Sequence, residues 1–84
     1  MIYVSEKQVK NAFQYHPPFG DQVQRYQSIR TGHLLLAQDL LKLCPQSPEL
    51  RRAIGHLEEA CMWANAAIAR NEAPPEFLEP NPDA

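Results

Sequence analysis

The sequence predicts an all-α fold, in which a short N-terminal helix precedes a long antiparallel helical hairpin that assembles into a homo-oligomer. Two observations predict the helices. Apolar residues recur every three or four positions through two long segments, and capping residues or prolines stand at the ends of those segments. The length predicts assembly, because a chain of 84 residues buries only about 60% of its unfolded surface.

The first predicted helix covers about 6–13. Ser5 and Gln8 form a capping box, with Ser5 as the N-cap and Gln8 at the third helical position. The following segment, Tyr-His-Pro-Pro-Phe-Gly at 15–20, ends this helix. Neither proline can continue a helix, and each restricts the residue before it.

The second predicted helix covers about 22–43, with Asp21 as its cap. One series of positions follows alternating steps of three and four residues. It consists of Tyr26, Ile29, His33, Leu36, Leu40 and Leu43, and an adjoining stripe consists of Leu34, Ala37 and Leu41. The second half of this helix is therefore apolar on more than one side.

The third predicted helix covers about 48–70 and follows a tight turn at 44–47. Ser47 is a good N-cap and Pro48 suits the first helical position. One face carries Leu50, Ile54, Leu57, Cys61, Ala64 and Ile68. Asn71 and the prolines after it end the helix, which predicts a hairpin domain at 1–71 and an acidic, proline-rich, extended tail at 72–84.

The short connection between the two long helices predicts an antiparallel hairpin. Two helices cannot surround a core, and each has a second apolar stripe left over. Alanines at 64, 66, 67 and 69 would also let another backbone come close. The sequence therefore predicts that several hairpins pack together.

Charge and cysteine content exclude several classes of protein. The net charge is −2, and residues 1–71 hold eight basic and six acidic side chains, too weak a basic excess for a protein that binds DNA or RNA polymers. Cys44 and Cys61 provide no disulfide framework. With no signal segment and no apolar run of about 18 residues, the sequence predicts a cytoplasmic protein without a membrane segment.

Catalytic patterns are weak in this sequence. His56 and Glu59 have metal-ligand spacing on a helix, but no second such pair exists and Cys61 does not share their face. Ser28 and Ser47 stand next to no His–Asp arrangement, and the glycines are isolated. We therefore expect a binding protein with no metal and no cofactor rather than an enzyme.

The segment at 13–19 favours ligand binding. Tyr15, His16 and Pro17 lie in this aromatic and proline-rich stretch ahead of a helix N-terminus. Aromatic faces stack on nucleobases, and amides at a helix start favour anions. The alternative is that the segment only staples the short helix to the hairpin, with Phe13 and Tyr15 filling a groove.

Three polar positions on the long helices are further candidates. Arg30 falls in an apolar region with Thr31 beside it, and its guanidinium matches phosphate oxygens; an intersubunit pair with Glu58 or Glu59 is equally compatible. Asn65 lies between small residues and can hydrogen-bond across an interface. Arg70 complements the dipole at the end of its helix without any ligand. Trp63 is interpreted as a core residue rather than a stacking platform.

Four segments of the chain together resemble a known family, the phage hairpin domain shared by anti-CBASS and anti-Thoeris sponge proteins. They are Phe13-Gln14-Tyr15-His16-Pro17-Pro18, Tyr26-Gln27-Ser28-Ile29-Arg30, Leu43-Cys44-Pro45-Gln46-Ser47-Pro48-Glu49 and the stretch from Leu57 to Arg70, which ends Met62-Trp63-Ala64-Asn65-Ala66-Ala67-Ile68-Ala69-Arg70. The resemblance covers about 11–71, and the last segment is its most specific part. The short chain resembles the anti-CBASS branch more closely.

The resemblance implies a helical homo-oligomer, a hexamer in characterised relatives, that captures cyclic oligonucleotide messengers in the host cytoplasm without cleaving them. Cyclic dinucleotides bind between paired protomers, and cyclic trinucleotides bind in some members where three protomers meet. Tyr15 matches the base-stacking aromatic residue, Arg30 falls near the basic position that meets phosphate, and Arg70 matches the basic residue assigned to the trinucleotide site.

This sequence departs from the family pattern in its second helix. Relatives often carry a lysine there, whereas this chain reads Ile29-Arg30-Thr31-Gly32-His33. Either Arg30 or His33 takes the role of that lysine, or the dinucleotide site is altered. Two alternatives remain open: capture of cyclic ADP-ribose isomers, as in the anti-Thoeris branch, and a structural hairpin that binds a partner protein.

Overall fold

A computed structural model describes residues 4–72, which form three helices and no strand. Helix α1 spans Glu6–Phe13, α2 spans Gln22–Leu43 and α3 spans Pro48–Asn71. The predicted all-α class is confirmed, and the predicted bounds agree except that α3 is one residue longer. Of the predicted tail at 72–84, residues 73–84 lie outside the described residues, so the division between domain and tail stays a prediction.

Side-chain N-caps stand at the starts of two of the three helices, as the sequence predicts. The Ser5 hydroxyl accepts a hydrogen bond from the Gln8 amide at 3.1 Å, and Gln8 Oε1 accepts from the Ser5 amide at 2.8 Å. Ser47 accepts from the Leu50 amide at 3.1 Å. All three hydrogen bonds satisfy amides that have no partner inside the helix.

Helix α2 begins differently from the prediction. Asp21 occupies the N-cap position, but its carboxylate makes no capping hydrogen bond and instead pairs with Arg25 at 3.1 Å. The neighbouring Gln22 side chain accepts from the Phe19 amide, also at 3.1 Å. Gly20 has φ +57°, a conformation that glycine adopts without strain, and it turns the chain into α2.

The hairpin is formed by α2 and α3, which pack along their lengths. The predicted face of α3 is confirmed, since all six of its apolar residues are buried or half-buried. On α2, the positions Tyr26, Ile29, His33, Ala37 and Leu40 are half-buried. Leu36 and Leu43 belong to the predicted series but are exposed, because their positions drift around the helix away from α3.

A single chain has almost no core. Leu50, with 5% of its surface exposed, is the one buried hydrophobic residue among 4–72. Large apolar side chains remain exposed on both long helices: Val23, Leu34, Leu35, Leu36, Leu41, Leu43, Met62 and Trp63. Two packed helices have one shared seam and no interior, so the remaining apolar surface has no cover within residues 4–72. Within 4–72, no helix is long and apolar enough to cross a membrane.

Candidate functional site

The eight candidate residues fall into two separate clusters. A groove of about 640 Å³ runs between α2 and α3, and its lining includes Arg30, Thr31, His33 and Asn65. This volume lies within the usual range of small-molecule sites, about 300–1,000 Å³. Tyr15, His16, Pro17 and Arg70 do not line the groove, so a single chain does not bring all eight candidates into one site.

Two basic groups of the groove differ in what they can offer a phosphate. The Nδ1 atom of His33 lies 2.7 Å from the Ile29 carbonyl oxygen. Because a carbonyl only accepts, Nδ1 carries the proton, and in the neutral ring Nε2 is then an acceptor. Arg30 is always charged and has no ion pair with any of residues 4–72. Arg30 is therefore the better phosphate ligand of the two.

Two other polar residues of the groove have side-chain groups that no other described residue satisfies. Among residues 4–72, Asn65 Oδ1 is buried without a hydrogen-bond partner, and Asn65 Nδ2 makes only a long contact of 3.9 Å to Cys61 Sγ. Glu58 also lines the groove, with no ion pair to Arg30 or to any other described residue. The Asn65 side-chain amide can form hydrogen bonds with a neighbouring molecule, whereas the Glu58 carboxylate would repel a phosphate placed beside it.

The second cluster lies at the open end of the hairpin, where α1 meets the end of α3. Asn11 Nδ2 donates to the Arg70 carbonyl at 2.9 Å, and His16 Nε2 lies 2.8 Å from the Asn11 carbonyl. These contacts hold the segment that carries Tyr15 against the last turn of α3. The Tyr15 side chain itself is 79% exposed, and Pro17 is exposed as well.

The staple alternative finds no support within one chain. Phe13 is 86% exposed and Tyr15 79% exposed, so neither ring fills a groove of its own hairpin. Polar contacts of Asn11 and His16 attach the segment instead. An aromatic ring with most of its surface exposed has a free face for stacking.

Trp63 corrects an interpretation made from the sequence. It is 61% exposed rather than buried in a core, and the Arg70 guanidinium lies 5.8 Å from the centre of its ring. Trp63 and Arg70 are seven residues apart, two turns along one side of α3. The attraction between cation and ring holds the Arg70 side chain along the helix surface.

An ion-pair network connects the first turn of α2 to the end of α3. Both carboxylate oxygens of Glu72 accept from the Arg25 guanidinium, and Gln22 Nε2 donates to Glu72 Oε1 at 3.0 Å. Gln22 is 2% exposed. The hydrogen bonds from Arg25 and then Gln22 lower the pKa of Glu72 to about 2 from 4.5, and the bond to Glu72 raises the pKa of Arg25.

The lowered pKa of Glu72 predicts an acid-sensitive fold. Its ionised form is favoured by folding, so this stabilisation is fully present above pH 4.5 and is lost as the pH falls from 4.5 to about 2. We expect the unfolding temperature of Glu72→Gln to depend less on pH in this window than that of the wild type. Glu59→Gln, a control at an exposed glutamate without an ion pair among 4–72, should keep the wild-type dependence. Equal profiles for all three proteins would contradict this assignment.

Sequence reasoning missed Asn11, Gln22, Arg25 and Glu72. The spacing of Asp21 and Arg25, four residues apart at a helix start, was the one local signal available. Glu72 joins Arg25 across 47 residues of chain, which no periodicity encodes. The sequence also assigned Glu72 to the tail, whereas it is the C-cap residue of α3 and contacts α2.

Comparison with known proteins gives one family. The model of the "Acb2/Tad1, hairpin domain" family matches residues 5–69, which is most of the chain and nearly all of its described part. The match includes α1, the Tyr15 segment, α2, the turn and nearly all of α3. Searches of curated proteins and of solved structures gave no match.

Proposed function

Because this chain belongs to the Acb2/Tad1 hairpin family, in which phage anti-defence proteins sequester cyclic nucleotides, we propose that it captures cyclic oligonucleotide second messengers. Cyclic dinucleotides are its primary ligands, and cyclic trinucleotides occupy a separate site. The protein holds them intact in the host cytoplasm, so CBASS effectors are not activated. The family acts by binding rather than by catalysis.

The exposure of Tyr15 is the observation that carries this proposal. Its ring is 79% exposed on a segment that polar contacts hold in place. An exposed ring of this kind stacks on any nucleobase, whereas the phosphates of the ligand need a cation. Arg30, which has no ion pair among 4–72, supplies that cation, and Thr31 adds a hydroxyl donor.

We further propose that the dinucleotide site is formed by two copies of the chain. Tyr15 does not line the groove that contains Arg30, so one copy contributes the ring and another the groove. His33 and Asn65 lie in the same groove and contact the neighbouring copy or the ligand. The exposed leucines of α2 support such pairing, because apolar surface of this extent is typical of an interface. The assembly is a homohexamer, as the resemblance implies.

The trinucleotide site is assigned to Arg70. Its guanidinium lies 5.8 Å from the centre of the Trp63 ring, and neither residue lines the groove that contains Arg30, so Arg70 offers a ligand a second cation. Moving from the Trp63 ring to a phosphate exchanges a cation–π contact for a charge-assisted hydrogen bond, which is the stronger of the two. In this proposal Arg30 is the cation of the dinucleotide site and Arg70 is the cation of the trinucleotide site.

A thermal-shift panel of cyclic dinucleotides, cyclic trinucleotides and cyclic ADP-ribose isomers tests the proposed function. A ligand that binds only the folded state stabilises it by about 2.7 kcal/mol at a hundredfold excess over Kd. We expect a shift of several degrees with cyclic dinucleotides, and bound ligand should be recovered intact after denaturation. A shift with cyclic ADP-ribose isomers alone would place the chain in the anti-Thoeris branch. No shift with any ligand would favour a structural hairpin.

A further inference from the structure

The segment that carries Tyr15 is attached at both of its ends to the last residues of α3. Residues 14–21 connect α1 to α2 without helical structure and end in a turn at 20–21. Tyr15 lies near the start of this connection and is mostly exposed, so little apolar burial holds it. Polar contacts must therefore define its position.

The first attachment uses Asn11. Its Nδ2 donates to the Arg70 carbonyl at 2.9 Å, and its own carbonyl accepts from His16 Nε2 at 2.8 Å. The residue next to Tyr15 is thereby linked through α1 to the backbone of Arg70. Asn11 and His16 are both half-buried, so water competes less for these hydrogen bonds than at an open surface.

The second attachment uses Glu72. The Phe19 amide donates to Gln22 Oε1 at 3.1 Å, and Gln22 Nε2 donates to Glu72 Oε1 at 3.0 Å. Arg25 holds both Glu72 oxygens and also Asp21. A two-point bond between a guanidinium and a carboxylate fixes direction as well as distance. The end of the Tyr15 segment is thus linked to the residue that follows α3.

We propose that Glu72 is a positioning residue of the nucleotide site, which orients the Tyr15 segment against the end of α3 through Gln22 and Arg25. This inference rests on the proposed function. Glu72 touches no ligand in this role. Its contacts restrict the Tyr15 segment before any ligand binds. Less conformational entropy is then lost when a base stacks on the ring, so the ligand binds more tightly.

Glu72→Gln in the full-length chain tests this role with two readouts. Hydrogen–deuterium exchange at the amides of 14–16 and Phe19 measures the order of the segment, since the two prolines carry no amide hydrogen, and calorimetry with a cyclic dinucleotide measures Kd. We expect faster exchange in 14–19 and a Kd weakened about three- to tenfold, because one segment is freed before binding. The exposed Glu59→Gln control should leave both readouts at wild-type values.

Arg25→Gln removes the same ion pair from the other side and keeps the test decisive if Glu72→Gln folds poorly. The double variant should be no weaker than Arg25→Gln alone, because Arg25→Gln already lacks the pair with Glu72 and also lacks the pair with Asp21. Unchanged exchange in 14–19, or a wild-type Kd despite faster exchange, would overturn the positioning role. A wild-type chain that binds no cyclic nucleotide would overturn the proposed function instead, while the exchange data would still decide whether Glu72 orders the segment.

Discussion

Replacing Tyr15 by alanine is expected to weaken binding of cyclic dinucleotides by about 5- to 150-fold, because one base-stacking contact contributes about 1–3 kcal/mol. The ring is 79% exposed in a single chain, so its loss removes no packing inside the hairpin. Assembly and unfolding temperature should therefore stay at their wild-type values. Calorimetry measures the affinity, and analytical ultracentrifugation measures the mass of the assembly.

Three companion variants identify the cause of any change. Tyr15→Phe keeps the aromatic face and should retain most of the affinity, and Phe13→Ala removes a ring that is 86% exposed but lies outside the proposed site. Arg70→Ala should give the reciprocal result, with weaker trinucleotide binding and intact dinucleotide binding. If Tyr15→Ala dissociated the assembly, the ring would be a structural staple between copies. Equal losses of both ligand classes in Arg70→Ala would contradict two separate sites.

Replacing Leu41 by aspartate is expected to dissociate the assembly and, with it, to abolish dinucleotide capture. Leu41 is 54% exposed on α2, two turns from the groove residue Leu34 and on the same side of the helix. A carboxylate placed in an apolar interface loses its hydration without gaining a partner. Sedimentation should show the mass of a single chain, and calorimetry should show no binding.

Ser28→Asp provides the matched control for this variant. It introduces the same charge on α2 at an exposed, polar position on a different side of the helix from Leu34 and Leu41. Its mass and affinity should match the wild type. If Leu41→Asp kept the full assembly, the exposed apolar stripe of α2 would not be the interface between copies. Full dinucleotide binding by a dissociated Leu41→Asp chain would instead show that one copy holds a complete site.

The helices could be predicted from the sequence because their signals are local. Capping by Ser5 and Ser47 depends on residues three positions away, and a helical face follows from spacing alone. Asp21 shows where this reasoning fails. A good capping residue is also a good partner for an arginine one turn later, and in this chain Arg25 takes its carboxylate.

The candidate site was less predictable than the fold. Chemistry at single positions identifies Tyr15, Arg30 and Arg70 as residues able to stack on a base or bind phosphate, but it gives no distance between them. In the folded chain Arg30 lies in the groove and Tyr15 at the open end. The contacts that order this end join Asn11 to Arg70 and Arg25 to Glu72, pairs separated by 59 and 47 positions. Pairings at such separations depend on the tertiary fold.

Because one chain has so small a hydrophobic core, its binding capacity depends on how much of the protein is made. With Leu50 as its one buried hydrophobic residue among 4–72, an isolated hairpin gains little from folding alone. Under the proposed assembly, each copy completes its fold by joining others, so folded protein and binding capacity both rise more steeply than linearly with the amount of chain. Early in infection, when few copies exist, messenger would escape capture. Past a threshold of expression, capacity would appear abruptly, which favours rapid and abundant synthesis over gradual accumulation.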